Sequence, residues 1–158
     1  TRTSASLSGD LSTPTPFLPP TPTSVASCIP ANPPVAARIV EIIDGNTVKV
    51  LMNDLVYVVR YIGVGLPQDH VDGANAFRAN SELVFRREIT LIADVSDKDS
   101  SGRLLRYIMA GDTFVNWQLL QDGQGISLDV PPNSACVQEF KSAEQSAVQS
   151  ARGLWAPP

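Results

Sequence analysis

The sequence predicts an α+β domain built on a small closed β-barrel of five strands, with three helices packed against it. Three strand-like segments precede the first helical segment and two more follow it, an order that suits a closed barrel better than alternating β-α units. Apolar residues make up 43% of the 158 residues, which is enough for one sizeable core.

The strands are predicted from runs of β-branched residues that are bounded by turn signals. The first two runs, residues 35–44 and 47–52, are separated by an Asp-Gly-Asn turn, and a third run covers residues 55–64. Two further strands are predicted at residues 88–95 and 103–110.

Arg60 is the single charge in the third strand segment, LVYVVRYIGV. Strand alternation places Arg60 on the face opposite Val59 and Tyr61. An arginine in an apolar run is usually paired in a core or part of a site, so Arg60 is a candidate functional residue.

Apolar residues at helical spacing predict three helices, at residues 72–86, 113–121 and 134–152. Gly153 is the expected end of the last helix.

Residues 1–34 are predicted to be a Ser/Thr/Pro-rich linker or stalk, and residues 35–158 the folded domain. The first 34 residues hold 12 Ser or Thr, 8 of the 13 prolines and only two charged residues. The stretch TPTPFLPPTPT lacks the apolar periodicity of a core-forming segment and favours an extended, polyproline-like chain. It reads either as a flexible tether or as a docking motif for a partner.

Charge and cysteine content exclude some classes of protein. The net charge of −4 argues against a dedicated nucleic-acid coat protein, although it allows a small local basic site. No apolar run approaches the roughly 18–20 residues that a membrane span needs. Cys28 and Cys136, with His70 as the single histidine, cannot make an ordinary zinc site. They form either one disulfide, as in extracytoplasmic proteins, or two free thiols.

Five separated phrases follow one another along the chain: IIDGNTVKV, VVRYIGVGLPQ, SDKDSSGRLLRYI, FVNWQLLQDGQG and AEQSAVQSARGLW. Together they resemble the staphylococcal nuclease (thermonuclease) family over about residues 36–155. The resemblance implies an OB-fold, the oligonucleotide/oligosaccharide-binding barrel, in agreement with the strand order. Active members of this family are calcium-dependent phosphodiesterases that cut DNA and RNA.

In such members two aspartates and a main-chain carbonyl hold calcium, and a glutamate positions or deprotonates the attacking water. Two arginines neutralise the charge that builds on the phosphorus oxygens. This division of roles suits the chemistry, because a hard cation prefers carboxylate oxygens and phosphoryl transfer depends on positioning and electrostatics.

This chain has the family's two arginines and lacks its three carboxylates. The family's IDGDT is IDGNT here, so Asn46 stands where the first calcium aspartate would be. Its DTPE is GLPQ here, so Gly65 replaces the second aspartate and Gln68 the glutamate. Both family arginines are retained, as the candidate catalytic residues Arg60 and Arg103.

Two arginines with no carboxylate at the matching positions predict that no calcium or other metal is bound. Gln68 cannot act as a general base. Asp69 and His70 are the neighbours available for another mechanism, but Asp44 and Asp69 are more simply explained as a turn cap and a solvated residue. Restoring the three carboxylates should recover calcium binding, with Gly65 the difficult position if its backbone conformation requires glycine.

The expected function is a staphylococcal-nuclease-like domain without catalysis, acting as an extracellular binding or structural module. Arg60 and Arg103 would then either bind an anion or pair with Asp44 and its neighbours to hold the barrel together. The alternative is a weak phosphodiesterase, calcium-dependent or metal-independent, and calcium is a cofactor only in that case. Nucleic-acid binding without cleavage is a third option, weakened by the net charge and by Ser101, which replaces a family tyrosine.

The resemblance also bears on the cysteines, because the last helix of the family fold packs on the barrel. We therefore expect a disulfide between Cys28 and Cys136 that pins the end of the linker to that helix, with two free thiols as the alternative. A disulfide and a stalk together predict an extracellular or cell-envelope location, with any export signal removed before Thr1. We expect a monomer that binds an anion or nucleic acid weakly at Arg60 and Arg103, and the sequence identifies no protein partner.

Overall fold

A computed structural model describes residues 24–158 and contains a closed barrel of five main strands with three α-helices. The strands are β1 (Val35–Asp44), β2 (Thr47–Met52), β3 (Leu55–Tyr61), β4 (Val64–Gly65), β5 (Glu88–Ile92), β6 (Leu104–Ala110), β7 (Thr113–Phe114) and β8 (Ile126–Ser127). The helices are α1 (His70–Val84), α2 (Val115–Gln121) and α3 (Val137–Gln149), with 3-10 turns at Val25–Cys28 and Gly153–Trp155.

Strand pairing closes the barrel. Strand β2 pairs antiparallel with β1 and β3, and β5 lies antiparallel between β1 and β6. A parallel pairing of β3 with β6, from Val59–Leu104 to Tyr61–Arg106, completes the ring. The predicted α+β barrel of five strands with three helices is therefore confirmed.

The barrel interior is filled by alternate side chains of the strands, as the pleat requires. In β3, Val59 and Tyr61 are buried, whereas Arg60 between them is half-buried on the other face. Large side chains from the strands and from α2 and α3 complete the core: Tyr107, Leu91, Ile108, Leu119, Leu120 and Phe140. The alternation predicted for the third strand segment holds.

Several predicted boundaries differ from the structure. The helix predicted at residues 72–86 is His70–Val84, the strand predicted at residues 88–95 ends at Ile92, and the last helix ends at Gln149, before Gly153.

Three further differences have a local cause. The third strand segment, predicted to run to residue 64, breaks at Gly63, whose positive φ of 79° turns the chain so that β4 pairs with β8. Residues 113–114, predicted as the start of a helix, form β7, because a tight turn at Gly111 returns the chain onto β6. The last helix starts at Val137 and not at residue 134, because residues 134–137 first form a turn in which the N–H of Val137 donates to the carbonyl oxygen of Ser134.

The chain enters the barrel through a segment held at several points. Residues 1–23, most of the predicted linker, lie outside the described residues. After the first 3-10 turn, the Asn32 side chain donates hydrogen bonds to the carbonyl oxygens of Ala93 (2.7 Å) and Asp94 (3.1 Å). A disulfide joins Cys28 to Cys136, the residue that precedes α3. The predicted disulfide is confirmed, and it ties residues 108 positions apart.

Within residues 24–158, none of the helices combines the length and apolarity that crossing a bilayer requires.

Removing the disulfide should destabilise the domain strongly. In the chain-entropy account, a closed loop of this length contributes about 4–5 kcal/mol, and measured losses are usually smaller. We expect the Cys28→Ala/Cys136→Ala variant to lose about 3 kcal/mol of unfolding free energy in urea titrations at pH 7. Wild-type protein in excess reductant is the control, since it keeps both side chains. A loss below about 1 kcal/mol in both samples would contradict the role given to the bridge.

Candidate functional site

Arg60 and Arg103 line one pocket of about 290 Å³, called here the arginine pocket. Arg60 comes from β3, and Arg103 stands directly before β6. The parallel pairing of β3 with β6 brings the two arginines to the same side of the barrel. The other walls are mostly apolar, and they include Ile62, Val64, Leu105, Leu128 and Val130.

Arg103 is held by Asp99, which also lines the pocket. The Arg103 Nε donates to Asp99 Oδ2 at 2.7 Å, and Asp99 Oδ1 accepts hydrogen bonds from the backbone N–H groups of Ser101 (2.9 Å) and Arg103 (3.0 Å). Burial alone would raise the pKa of Asp99, but the hydrogen bonds from Arg103 and Ser101, with the charge of Arg103, outweigh it and lower that pKa.

Of the two alternatives for the arginines, pairing with Asp44 does not occur among residues 24–158. Asp44 Oδ1 accepts a hydrogen bond from the backbone N–H of Asn46 at 3.0 Å, as a turn cap does, and Arg103 pairs with Asp99 instead. Sequence reasoning missed Asp99, although its position four residues before Arg103 in a polar loop was a usable signal.

Arg60 differs from Arg103 because it is unpaired. Among residues 24–158 its guanidinium makes no ion pair and no hydrogen bond, and the side chain is only half-buried. The pocket therefore holds two guanidinium groups against one carboxylate, an excess of positive charge in an acidic protein.

Asn46 is almost fully buried, and both ends of its amide are in use. Its Nδ2 donates to the carbonyl oxygen of Val64 at 2.8 Å, and its Oδ1 accepts from Thr47 Oγ1 at 2.9 Å. The main-chain carbonyl of Asn46 also accepts from the N–H of Tyr61 at 2.8 Å. An aspartate at this position could not donate to Val64, so the amide has a structural role that a carboxylate cannot fill.

Gly65 is buried beneath Leu128. A Cβ added to Gly65 would lie 3.0 Å from both Cγ and Cδ1 of Leu128, closer than side chains normally pack. The φ angle of Gly65 lies outside the left-handed region, so the expected backbone obstacle is absent. What opposes an aspartate here is chiefly the side chain of Leu128, and the main-chain oxygen of Ile126, 3.2 Å from the added Cβ, is a second close neighbour.

Gln68 and Asp69 lie in exposed positions between β4 and α1, and His70 is the exposed first residue of α1. Asp69 caps α1, because its Oδ1 accepts hydrogen bonds from the N–H groups of Val71 (2.7 Å) and Asp72 (3.3 Å). None of the three lines the arginine pocket, and neither do Asn46 and Gly65. Of the five positions taken from the resemblance, only the two arginines line this pocket.

These residues do not fit a calcium ion. Calcium takes about 6–8 oxygen ligands and favours carboxylates. The three family positions offer an amide already bonded to its neighbours, a glycine and an exposed glutamine. In the described part of the chain, no three His, Cys, Asp or Glu side chains cluster closely enough to hold a metal.

A five-stranded barrel with two arginines in a pocket beside the β3–β6 pairing defines an OB-fold protein with a cationic pocket. Residues 58–157 match the sequence profile of the family described as staphylococcal nuclease homologue. The match spans more than half of the chain, and the chain belongs to this family.

Three characterised proteins are similar to it. The SPbeta prophage-derived endonuclease YokF of Bacillus subtilis (strain 168) is 31% identical over 122 residues, covering 72% of this chain and 41% of the relative. Endonuclease YncB of the same organism is also 31% identical over 122 residues, covering 72% and 58%. The thermonuclease of Staphylococcus hyicus is 23% identical over 125 residues, covering 75% and 74%. The chain thus spans about half the length of the two Bacillus relatives.

Asn46→Asp tests the role of the buried amide. The change removes the donor to Val64 and places a charge in a buried position, so we expect a loss of about 2–3 kcal/mol of unfolding free energy. Asn75→Asp is the matched control, since Asn75 is exposed on α1 and the charge change is the same. Urea unfolding without metal measures both, and equal stability of the two variants would contradict the amide's role.

The Asp99–Arg103 pair should give the stability a pH dependence at the acid end. Because the folded pKa of Asp99 is lowered, its contribution is present above the unfolded pKa of about 3.9 and is lost as pH falls through the folded value. The stability difference between wild type and Asp99→Asn should be constant from pH 5 to 7 and shrink below pH 4. Asp112→Asn, at an exposed turn, is the control. A difference that grows on acidification would refute this assignment.

Proposed function

We propose that this staphylococcal-nuclease-like domain does not cut nucleic acid with calcium and works as a binding or structural module. The observation that carries the proposal is the pair of replacements at the family's two metal-ligand aspartates. One is an amide bonded to Val64 and Thr47, and the other is a glycine covered by Leu128. The arginine pocket would serve as its anion-binding site, because the unpaired Arg60 brings positive charge to it.

We also propose that the domain acts outside the cell or in the cell envelope, tethered through residues 1–34. The support is the disulfide between Cys28 and Cys136, which suits an oxidising compartment. A further support is the Ser/Thr/Pro-rich composition before it.

A weak phosphodiesterase is the second candidate. It is favoured by the names of the relatives, which are endonucleases and a thermonuclease. Asp69 and His70 are the available bases, but Asp69 is engaged as a helix cap and neither residue lines the arginine pocket. A base outside hydrogen-bond reach of the site gives little general-base catalysis.

Release of acid-soluble nucleotides from single-stranded DNA separates the two candidates. We expect the same low background with millimolar calcium and with chelator, and no difference between wild type and Arg60→Gln. Calcium-stimulated release that is at least tenfold above the Arg60→Gln control would overturn the proposal and support the phosphodiesterase.

Restoring the carboxylates gives a second test. The variant Asn46→Asp/Gly65→Asp/Gln68→Glu should still fail to bind calcium, because Leu128 fills the space next to position 65. Adding Leu128→Ala should recover binding, which calorimetry would detect as a heat of calcium titration. Adding Leu55→Ala instead, at an exposed residue, is the matched control. Calcium binding by the triple variant alone would show that Leu128 is no obstacle.

A further inference from the structure

We infer that the arginine pocket takes a small amphiphilic anion, with one carboxylate or phosphate group on an apolar body. The inference rests on the proposed binding role of the pocket and names the class of ligand. It follows from three features of the pocket walls: polar groups that are already hydrogen-bonded, free guanidinium donors and exposed apolar side chains.

Most polar side chains of the pocket are already engaged. Both oxygens of Asp99 accept hydrogen bonds from Ser101 and Arg103. Asn133 accepts from the N–H groups of residues 95 and 96 through Oδ1 and donates back to Ser96 through Nδ2. These side chains shape the pocket but offer a ligand little further hydrogen bonding.

The free charged donors belong to the arginines, and Ser100, which also lines the pocket, adds an exposed hydroxyl. Arg60 has no partner among residues 24–158, and in the same region Arg103 uses only its Nε and its main-chain N–H. The terminal nitrogens of both side chains therefore make no hydrogen bond among residues 24–158, and both side chains line the pocket. Guanidinium groups bind carboxylate and phosphate through paired hydrogen bonds, so the charged end of the ligand belongs here.

The remaining surface is apolar and partly exposed. Leu128 and Val130 are 39% and 43% exposed, while Ile62 and Val64 behind them are buried. A ligand body seated against Leu128 and Val130 would remove apolar area from water, which is the main source of affinity for such a surface. Inorganic phosphate has no such body and would leave this wall exposed.

A nucleic-acid strand fits this pocket poorly. Single-strand binding relies on aromatic faces for the bases together with a charged groove for the backbone. The aromatic residue of the pocket is Tyr61, which is 1% exposed and donates its hydroxyl to Asn80 at 2.7 Å. It offers no face for stacking. The volume of about 290 Å³ is also near the lower end for ligand pockets, which suits a small molecule.

Calorimetric titration of the whole chain with butyrate, hexanoate and octanoate at pH 7 tests the inference. We expect affinity to rise about fourfold for each added methylene, because each buried methylene contributes a constant free energy. Octyl phosphate should behave as octanoate does, while inorganic phosphate should bind at least tenfold more weakly. Octylamine, which is cationic at this pH, should not bind measurably.

Variants test whether the ligand binds in the arginine pocket. Arg60→Gln should weaken octanoate binding at least tenfold, whereas Arg78→Gln, which removes an exposed arginine of α1, should leave it unchanged. Leu128→Asn should flatten the dependence on chain length while keeping weak binding of butyrate. Methyl NMR shifts at Leu128 and Val130 report occupancy in the unmodified protein, so the test does not depend on any variant folding.

The outcomes separate this inference from the proposed function. If inorganic phosphate binds as tightly as octanoate, or if chain length does not change the affinity, the ligand is not an amphiphile. The proposal that the pocket binds an anion would still hold in that case. If an oligothymidine displaces octanoate and binds more tightly, the ligand of the pocket is a nucleic acid and not an amphiphile. Octanoate binding that survives Arg60→Gln unchanged would also overturn the inference. Calcium-stimulated cleavage, in contrast, would overturn the proposed function itself.

Discussion

The side-chain amide and the main-chain carbonyl of Asn46 together join three parts of the barrel. Asn46 lies in the turn between β1 and β2, donates to the carbonyl of Val64 in β4 and accepts from Thr47 in β2, while its main chain accepts from Tyr61 at the end of β3. β3 carries Arg60, and β4 supplies a wall of the arginine pocket. A neutral group that both donates and accepts therefore sets the position of the pocket, and a carboxylate at the same place would leave a buried carbonyl unsatisfied.

The changes at the family's metal positions depend on one another. Without a side chain at residue 65, Leu128 can pack against the glycine, and the amide at residue 46 then needs no cation to balance it. Substitutions in contact through shared partners are coupled, so reversing one leaves the others unfavourable. The pocket is thus a consistent apolar and cationic surface.

The features that could be predicted from the sequence are those with a periodic residue pattern or a recognisable family motif. Strand alternation located Arg60 opposite Val59 and Tyr61, and the family phrases located Arg103 and the packing of the last helix that made the disulfide reasonable. The wall formed by Leu128 has no such pattern or motif. It contacts Gly65 from 63 positions away in sequence, in an irregular segment without periodicity. The failure at residues 113–114 has a similar cause, because a two-residue strand is too short for any period to show.

The link between Cys28 and Cys136 also determines how the domain responds to mechanical load. Tension applied upstream of Cys28 passes through the sulfur–sulfur bond into the start of α3 before it reaches β1. Strand β1 pairs with both β2 and β5, so peeling it from the N-terminal side would open the barrel at its middle. With the bridge intact, all five main strands lie inside a covalently closed loop, and pulling from this end cannot unzip them one by one.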